Sequence, residues 1–249
     1  NLSNGSKSNV SRWFNNSNFE FIKHDIVNPI ELDIEKIWHF ACPASPTIYQ
    51  SDPIKTTITI FEGTNNMLKL AKEKSAKLLL ASSSEIYGDP QVHPQKEDYY
   101  GYVNNTGIRS CYEEGKRIAE SLCYDYLRKY NLKISVARIF NTYGPRVLPN
   151  DGRVISSFIF QAIKNQKLKI FGQGKQTRSF CFVDDMIDGL IKLMNTNYTN
   201  PINLGSEDEL SILELAEIIR KKIDPNLEFS YLPLPLDDPS RRRPNTYRA

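Results

Sequence analysis

The stretch Lys77-Leu78-Leu79-Leu80-Ala81-Ser82-Ser83-Ser84-Glu85-Ile86-Tyr87-Gly88 decides the fold. Its first five residues form a short unbroken apolar run, as expected of a strand covered on both faces. The run exits into hydroxyls, a carboxylate and a polar, Pro-rich loop reaching about Asn105. Ile108 to Tyr130 then reads as a long helix, with Ile108, Cys111, Gly115, Ile118, Ala119, Leu122 and Tyr126 on its apolar stripe. Lys133-Ile134-Ser135-Val136-Ala137-Arg138 is the next strand. Working upstream, Ile54, Ile58, Phe61, Thr64, Leu68 and Ala71 follow a helical period, and Lys36 to Ala41 and Phe19 to Ile22 read as strands. Strands and helices alternating over connections of this length imply βαβ units and a parallel sheet, an α/β fold.

Downstream of Gly144-Pro145 the texture changes. A helix is expected over Val154–Lys164, then a strand at Leu168–Phe171 and a turn at Gly172-Gln173-Gly174. Ser179 to Val183 reads as a strand feeding a helix over Asp184–Met194. Pro201 to Leu204 is a further strand. Ser211 and Glu214 form a capping box opening a helix to about Lys222. The tail from Pro233 shows no period. The reading divides the chain into a sheet domain, 1–145, and a mainly separate lobe, 146–249, with segments returning to the first domain.

Composition narrows the partners. The formal charge is +3 and charged residues make up 24% of the 249, so nothing argues for nucleic acid. No run approaches the roughly 20 apolar residues that span a bilayer, and the polar first residues do not read as a signal peptide. The scattered cysteines, Cys42, Cys111, Cys123 and Cys181, fit reduced thiols in a cytoplasmic protein. They do not cluster with His24, His39 or His93, so no metal site is expected.

Two constellations carry chemistry. In Tyr112-Glu113-Glu114-Gly115-Lys116 the phenol and ammonium are four residues apart on a helix and share a face. A nearby cation favours phenolate and is expected to lower the tyrosine pKa, suiting it to proton transfer at a hydroxyl. The ordinary alternative is a surface lysine beside a core tyrosine; of the 13 tyrosines, though, only Tyr112 has lysine at this spacing. Ser83 and Glu85 lie just past the end of a parallel strand, the sheet edge where ligands bind. Asn141-Thr142-Tyr143-Gly144-Pro145 ends the following strand in the same way. Arg153, Arg178 and Arg241-Arg242-Arg243 supply separated cations suited to diphosphate or carboxylate.

With these stretches in place the sequence resembles the extended short-chain dehydrogenase/reductase (NAD-dependent epimerase/dehydratase) family, and within it the UDP-glucuronate decarboxylase branch. The resemblance covers nearly the whole chain. It is carried by His39 to Pro46, Ser84 to Pro90 with His93-Pro94-Gln95, Cys111 to Arg117, Arg138 to Arg146, Asn150 to Val154, and Asp237-Asp238-Pro239 through Arg242. It implies a Rossmann-like doubly wound sheet lacking its first strand, a small C-terminal substrate lobe, NAD as cofactor and a homodimer built on the two long helices. It also implies a reaction: oxidation of UDP-glucuronate at C4, loss of CO₂ from the 4-keto sugar, and reduction to UDP-xylose with NAD regenerated. By resemblance Ser83, Glu85, Tyr112 and Lys116 are catalytic. Ser84, Glu85, Asn141, Arg153, Phe171, Gln176, Arg178 and Arg242 hold the substrate, with Glu85 and Arg242 nearest its carboxylate. Asn1, Ser3, Asn4, Gly5, Asp25, Ile26, Phe40, Ala41, Cys42, Thr59, Ala81, Tyr112, Lys116 and Thr142 contact NAD.

The sequence also departs from that pattern. It shows no glycine-rich turn of the kind that cradles a dinucleotide's phosphates, and it reads as beginning after the second strand and stopping before the last helices. The expectation is therefore that this polypeptide alone binds NAD poorly and turns over little. Ile58 stands where the family usually has lysine, Ile60 where it often has asparagine or serine, and Asn245 where it usually has aspartate. Related readings are a nucleotide-sugar 4,6-dehydratase, a 4-epimerase, or an inactive nucleotide-sugar-binding protein. Dehydratases that resemble this family carry Asp-Glu in place of Ser84-Glu85, and epimerases do not need Arg242.

Overall fold

The computed structural model describes residues 1–3, 5–148 and 151–249; Asn4 and Asn150, both part of the sequence reading, lie outside the described residues. In chain order the elements are two 3₁₀ turns (Lys7–Asn9 and Ser11–Trp13), β1 (Lys36–His39), α1 (Pro46–Tyr49), α2 (Pro53–Glu73), β2 (Lys77–Ser83), a third 3₁₀ turn (Ser84–Tyr87), α3 (Ser110–Tyr130), β3 (Ile134–Ile139) and β4 (Thr142–Tyr143). Then come α4 (Val154–Ile163), β5 (Leu168–Phe171), β6 (Thr177–Ser179), β7 (Cys181–Phe182), α5 (Val183–Met194), β8 (Ile202–Leu204), β9 (Glu209–Ser211), α6 (Ile212–Ile223), β10 (Phe229–Leu232) and β11 (Arg241–Arg242).

The central sheet runs β1-β2-β3-β8 and every pairing in it is parallel. The apolar run of β2 is covered on both sides. Leu78 and Leu80 join the core under α2 and α3, while Leu79 points the other way into the core under α5. Successive side chains of a strand alternate between faces, so an all-apolar run needs two covering layers. A separate core, with Phe158, Leu168, Ile170, Leu215 and Ile219, lies between α4, α6 and β5. Helix boundaries follow local chemistry. Asp52 caps α2 by accepting from Lys55 N, with Pro53 at the first helical position, and α6 opens on the Ser211–Glu214 capping box.

Three expectations are corrected. Phe19–Ile22 is not a strand: a strand needs a neighbour for its backbone groups, and among the described residues none pairs there. Its rings gather instead around Phe14, whose centroid lies 6.2 Å from Phe19 and 6.0 Å from Phe21. Ser179–Val183 splits into β6 and β7, and α5 begins at Val183. The apolar stripes of the two long helices match the expected ones only in part: Thr64, Leu68, Ala71, Gly115 and Ala119 are buried as expected, and other members are not. On α2, Ile54, Ile58 and Phe61 face outward while Thr56, Thr59, Ile60, Gly63, Thr64 and Met67 are buried. On α3, Ile118 is exposed and Tyr112, Lys116 and Glu120 are buried. The cause is close helix–helix packing: a Cβ on Gly115 would come within 2.9 Å of Ile60 Cδ1, so the large Ile60 side chain is received by a residue that has none. Ile60 therefore fills the α2–α3 core.

His39, near the C-terminal end of β1, is buried, with Nε2 at 3.0 Å from Thr64 Oγ1. Burial, reinforced by the charge of Lys116, depresses its pKa to about 3. The unfolded chain takes up this proton below about pH 6.5 and the native one does not, so stability falls as pH drops from there toward 3. Replacing His39 by Leu is expected to remove up to about 1.4 kcal/mol per pH unit of that slope. Urea unfolding of both proteins between about pH 7 and 5 measures it; parallel slopes would contradict the assignment.

Candidate functional site

The site lies at the C-terminal ends of β1, β2 and β3. Phe40, Ala41 and Cys42 follow β1 directly, Ala81 and Ser83 end β2, and Asn141 and Thr142 follow β3. Ser83 caps the 3₁₀ turn by accepting from Glu85 N at 3.2 Å, which aims the next carboxylate back toward the sheet edge. From the first two turns of α3, Tyr112 and Lys116 reach the same edge. Lys116, 4% exposed, donates to Ala81 O at 2.7 Å, and its ammonium stands 5.7 Å from the centre of the Tyr112 ring.

The expected depression of the Tyr112 pKa is not what the structure shows. Burial raises it, and Cys42 and Glu85 add to the shift, while Ser83 and Arg153 oppose it. The physical reason is desolvation: a phenolate loses more hydration at this depth than the nearby positive groups restore. Tyr112 also stacks on fully buried Tyr49, with ring centres 5.0 Å apart and planes 10° from parallel.

Glu85 sits between two guanidiniums, accepting from Arg242 at Oε1 and from Arg109 at Oε2. Burial alone would raise its carboxyl; Arg242 and Arg109 outweigh that and hold it at about 2. Arg109 also donates to Glu113 Oε1 (3.2 Å) and stands 3.7 Å from Asp238, whose second oxygen lies 3.1 Å from Arg178. Burial, then the charge of Glu85, pushes Glu113 up to about 7. A second buried network lies behind the first. Arg138 donates to both oxygens of Glu120 (2.9 Å to Oε2 from Nη2) and to Tyr87 Oη (2.9 Å), and Ser82 donates to Glu120 Oε1.

Of the residues expected in the site, Ser83, Ser84, Tyr112, Lys116, Arg178 and Arg242 are buried together with these networks, and Glu85 among them is partly buried. Arg178 is turned to Asp238. Arg153 lies near Tyr112 and 3.2 Å from Asp151. Phe171 and Gln176 make their own contact at the lobe surface, Gln176 Nε2 donating to Phe171 O at 2.9 Å. Asn141 offers its carbonyl to Cys181 N (2.9 Å), and Thr142 Oγ1 donates to Phe140 O (3.0 Å). Asn1 donates to Asp25 Oδ2 (2.8 Å), Ser3 N donates back to Asn1 Oδ1 (3.0 Å), and Gly5 is exposed beside them. Ile26 packs on Gly63 of α2, where Thr59 is buried. Sequence reasoning missed Arg109, Glu113, Glu120, Arg138 and Tyr49. Arg109 and Glu120 were legible in principle, since they precede Tyr112 by three residues and follow Lys116 by four, on the same helical stripe.

The sequence model of the NAD dependent epimerase/dehydratase family matches residues 5–205. The chain belongs to this family. UDP-glucuronic acid decarboxylase 1 of Danio rerio is 50% identical over 245 residues, 98% of this chain and 59% of that protein. UDP-glucuronic acid decarboxylase 3 of Arabidopsis thaliana is also 50% identical, over 98% of this chain and 72% of its own length. The chain thus spans less than two thirds of the Danio relative. Among solved structures, the UDP-glucuronic acid 4-epimerase of Bacillus cereus, in complex with UDP-glucuronic acid and NAD, is 27% identical with a TM-score of 0.86, over 97% of this chain and 77% of that one. A UDP-N-acetylglucosamine 4-epimerase of Methanobrevibacter ruminantium reaches a TM-score of 0.92 at 24% identity, over 100% and 80% of the two chains, a likeness of fold alone.

The Arg138–Glu120 pair anchors α3 to the sheet one helical turn beyond Lys116. Replacing Glu120 by Ala leaves a buried guanidinium without its carboxylate and is expected to cost about 3–5 kcal/mol, read by urea unfolding. A loss below about 1 kcal/mol would mean the pair contributes no more than an exposed one.

Proposed function

We propose that this chain carries the active site of an NAD-dependent decarboxylase that converts UDP-glucuronate to UDP-xylose. The observation that carries the reading is Arg242. Its guanidinium, 3% exposed, meets Glu85 beside the Tyr112–Ser83 edge, and its Nε is a buried donor without a partner among the described residues. A buried arginine with a donor to spare, next to a proton-transfer pair, suits a sugar that carries a carboxylate.

The residues present suit a bound dinucleotide in their chemistry. Phe40, half-exposed at the end of β1, offers an apolar wall. Lys116 has three N–H donors, of which Ala81 O takes one. When bound, NAD supplies the two-electron oxidant for the sugar and is restored within the turnover. Tyr112 as its phenolate, the form that Lys116 stabilises, takes the proton of the C4 hydroxyl and becomes the neutral phenol, while Ser83 holds the hydroxyl in line. Arg242 orients the C5 carboxylate. The ketone at C4 lies β to that carboxylate, so the bond from C5 to the carboxyl carbon breaks, CO₂ leaves, and the electron pair passes to the C4 oxygen as an enolate. Tyr112, now protonated, can stabilise that oxygen, and C5 then regains a proton. Glu85, held ionised between Arg242 and Arg109, fixes Arg242 during these steps.

The exposed apolar residues of α2 and α3 support a homodimer. Ile54 and Ile118 line a groove of about 440 Å³ between the two helices together with Thr57, Cys111 and Gly115, and Ile58, next to Thr57 on α2, is exposed as well. A second copy of the same helices would cover it. The four free thiols suit a reducing compartment such as the cytosol.

The full-length gene product, given UDP-glucuronate and catalytic NAD, is expected to release CO₂ and UDP-xylose in equal amounts. A 4-epimer that retains the carboxylate, or no CO₂, would overturn the reading. Tyr112→Phe should lower kcat by about 10²–10⁴. For the dimer, Ile58→Glu is expected to shift sedimentation from dimer to monomer, and a wild-type monomer would exclude it.

A further inference from the structure

His93-Pro94-Gln95 is among the most specific stretches of the sequence, yet none of its residues belongs to the site described above. Gln95 is completely buried and so is Asn203. Gln95 grips the backbone on the far side of Arg242. Its N–H donates to Arg243 O (2.9 Å), its Oε1 accepts from Arg243 N (2.8 Å), and its carbonyl accepts from Asn245 N (2.8 Å). Its own amide is fixed by donation from Nε2 to Val92 O (2.9 Å). Asn203 locks the arrangement, donating from Nδ2 to Gln95 O (3.0 Å) and Asn245 O (3.2 Å) and accepting from Tyr87 Oη (2.8 Å).

Arg242 needs such a clamp. Strand β11 is two residues long, and its partner in register with Arg242 is Arg178, a like charge. Glu85 and Gly88 O hold the Arg242 guanidinium itself, and Asp238 offsets Arg178, so what the two-residue ladder leaves loose is the backbone that carries the side chain. Holding both polar groups of the Arg243 backbone fixes the peptide that leaves Arg242, and with it the direction of the Arg242 side chain.

We infer that Gln95 is a positioning residue that aims Arg242 at the sugar carboxylate, with Asn203 as its brace. The inference rests on the decarboxylase reading given above. It makes a prediction that general loosening does not: Gln95 should matter for ligands that carry the carboxylate and not for those that lack it.

The test is the ratio of affinities for UDP-glucuronate and UDP-xylose, measured calorimetrically on the full-length gene product with NAD present and with Tyr112→Phe in every protein to stop turnover. Four proteins are compared in that background: the background itself, Arg242→Met, Gln95→Met and the double variant. Arg242→Met should lower the preference for UDP-glucuronate by about 30-fold or more. Gln95→Met should lower it by about tenfold, leave UDP-xylose affinity within about threefold, and cause no further loss in the double variant. Should Gln95→Met fail to fold, Gln95→Asn draws the acceptor back by one methylene and serves the same arm with the same outcomes. Equal loss for both ligands, or additive losses in the double variant, would overturn the clamp. If Arg242→Met loses the preference and the Gln95 variant keeps it, the clamp alone fails. If neither changes it, the reading of the site fails as well.

Discussion

Helix α3 turns charge as well as hydrocarbon toward the sheet. Tyr112, Lys116 and Glu120 follow one another at four-residue steps and are all buried. Such a face is stable only where every group meets a partner, because an unpaired buried charge costs several kcal/mol, about 3–5 when one partner of a buried pair is lost. The end of β2 and the neighbouring β3 provide those partners. Ala81 O receives Lys116, while Ser82 and Arg138 hold Glu120. The same contacts that dock the helix therefore fix the height and rotation of Tyr112. Docking and proton chemistry are one arrangement here, and neither can shift without the other.

The second constraint is the collection of arginines around Glu85. Arg109, Arg178 and Arg242 are all buried, and Glu85, Glu113 and Asp238 are interleaved with them. Alternating charges let three guanidiniums lie close without water. They also keep Glu85 ionised despite its depth. A carboxylate ligand entering this cluster would compete with Glu85 for Arg242, which links substrate charge to the geometry around Tyr112. Glu113, raised to about 7, is the member of the cluster whose charge is most easily given up near neutral pH.

The tail closes the site from a distance. Arg242 is 157 residues from Glu85 in sequence, and it reaches the sheet edge only because β11 pairs with β6 and Gln95 holds the residues that follow. The lobe formed by α4, α6 and β5 has its own core, so it can carry β6 and β11 to the sheet as a unit.

Much of this architecture was legible from local patterns. The apolar run Leu78–Ala81, the long helices and the Tyr112–Lys116 spacing are properties of short stretches, and periodicity reports them directly. So the sequence by itself determined the alternating α/β order, the parallel sheet and the phenol–ammonium pair at its edge. Tertiary structure decided which face of each helix is buried, because Ile60 against Gly115 and Arg138 against Glu120 are contacts between separate elements. It decided that Phe19–Ile22 is not a strand, since a strand exists only beside a partner. It also decided the direction of the Tyr112 pKa, because depth of burial, which no spacing encodes, outweighs a neighbouring cation.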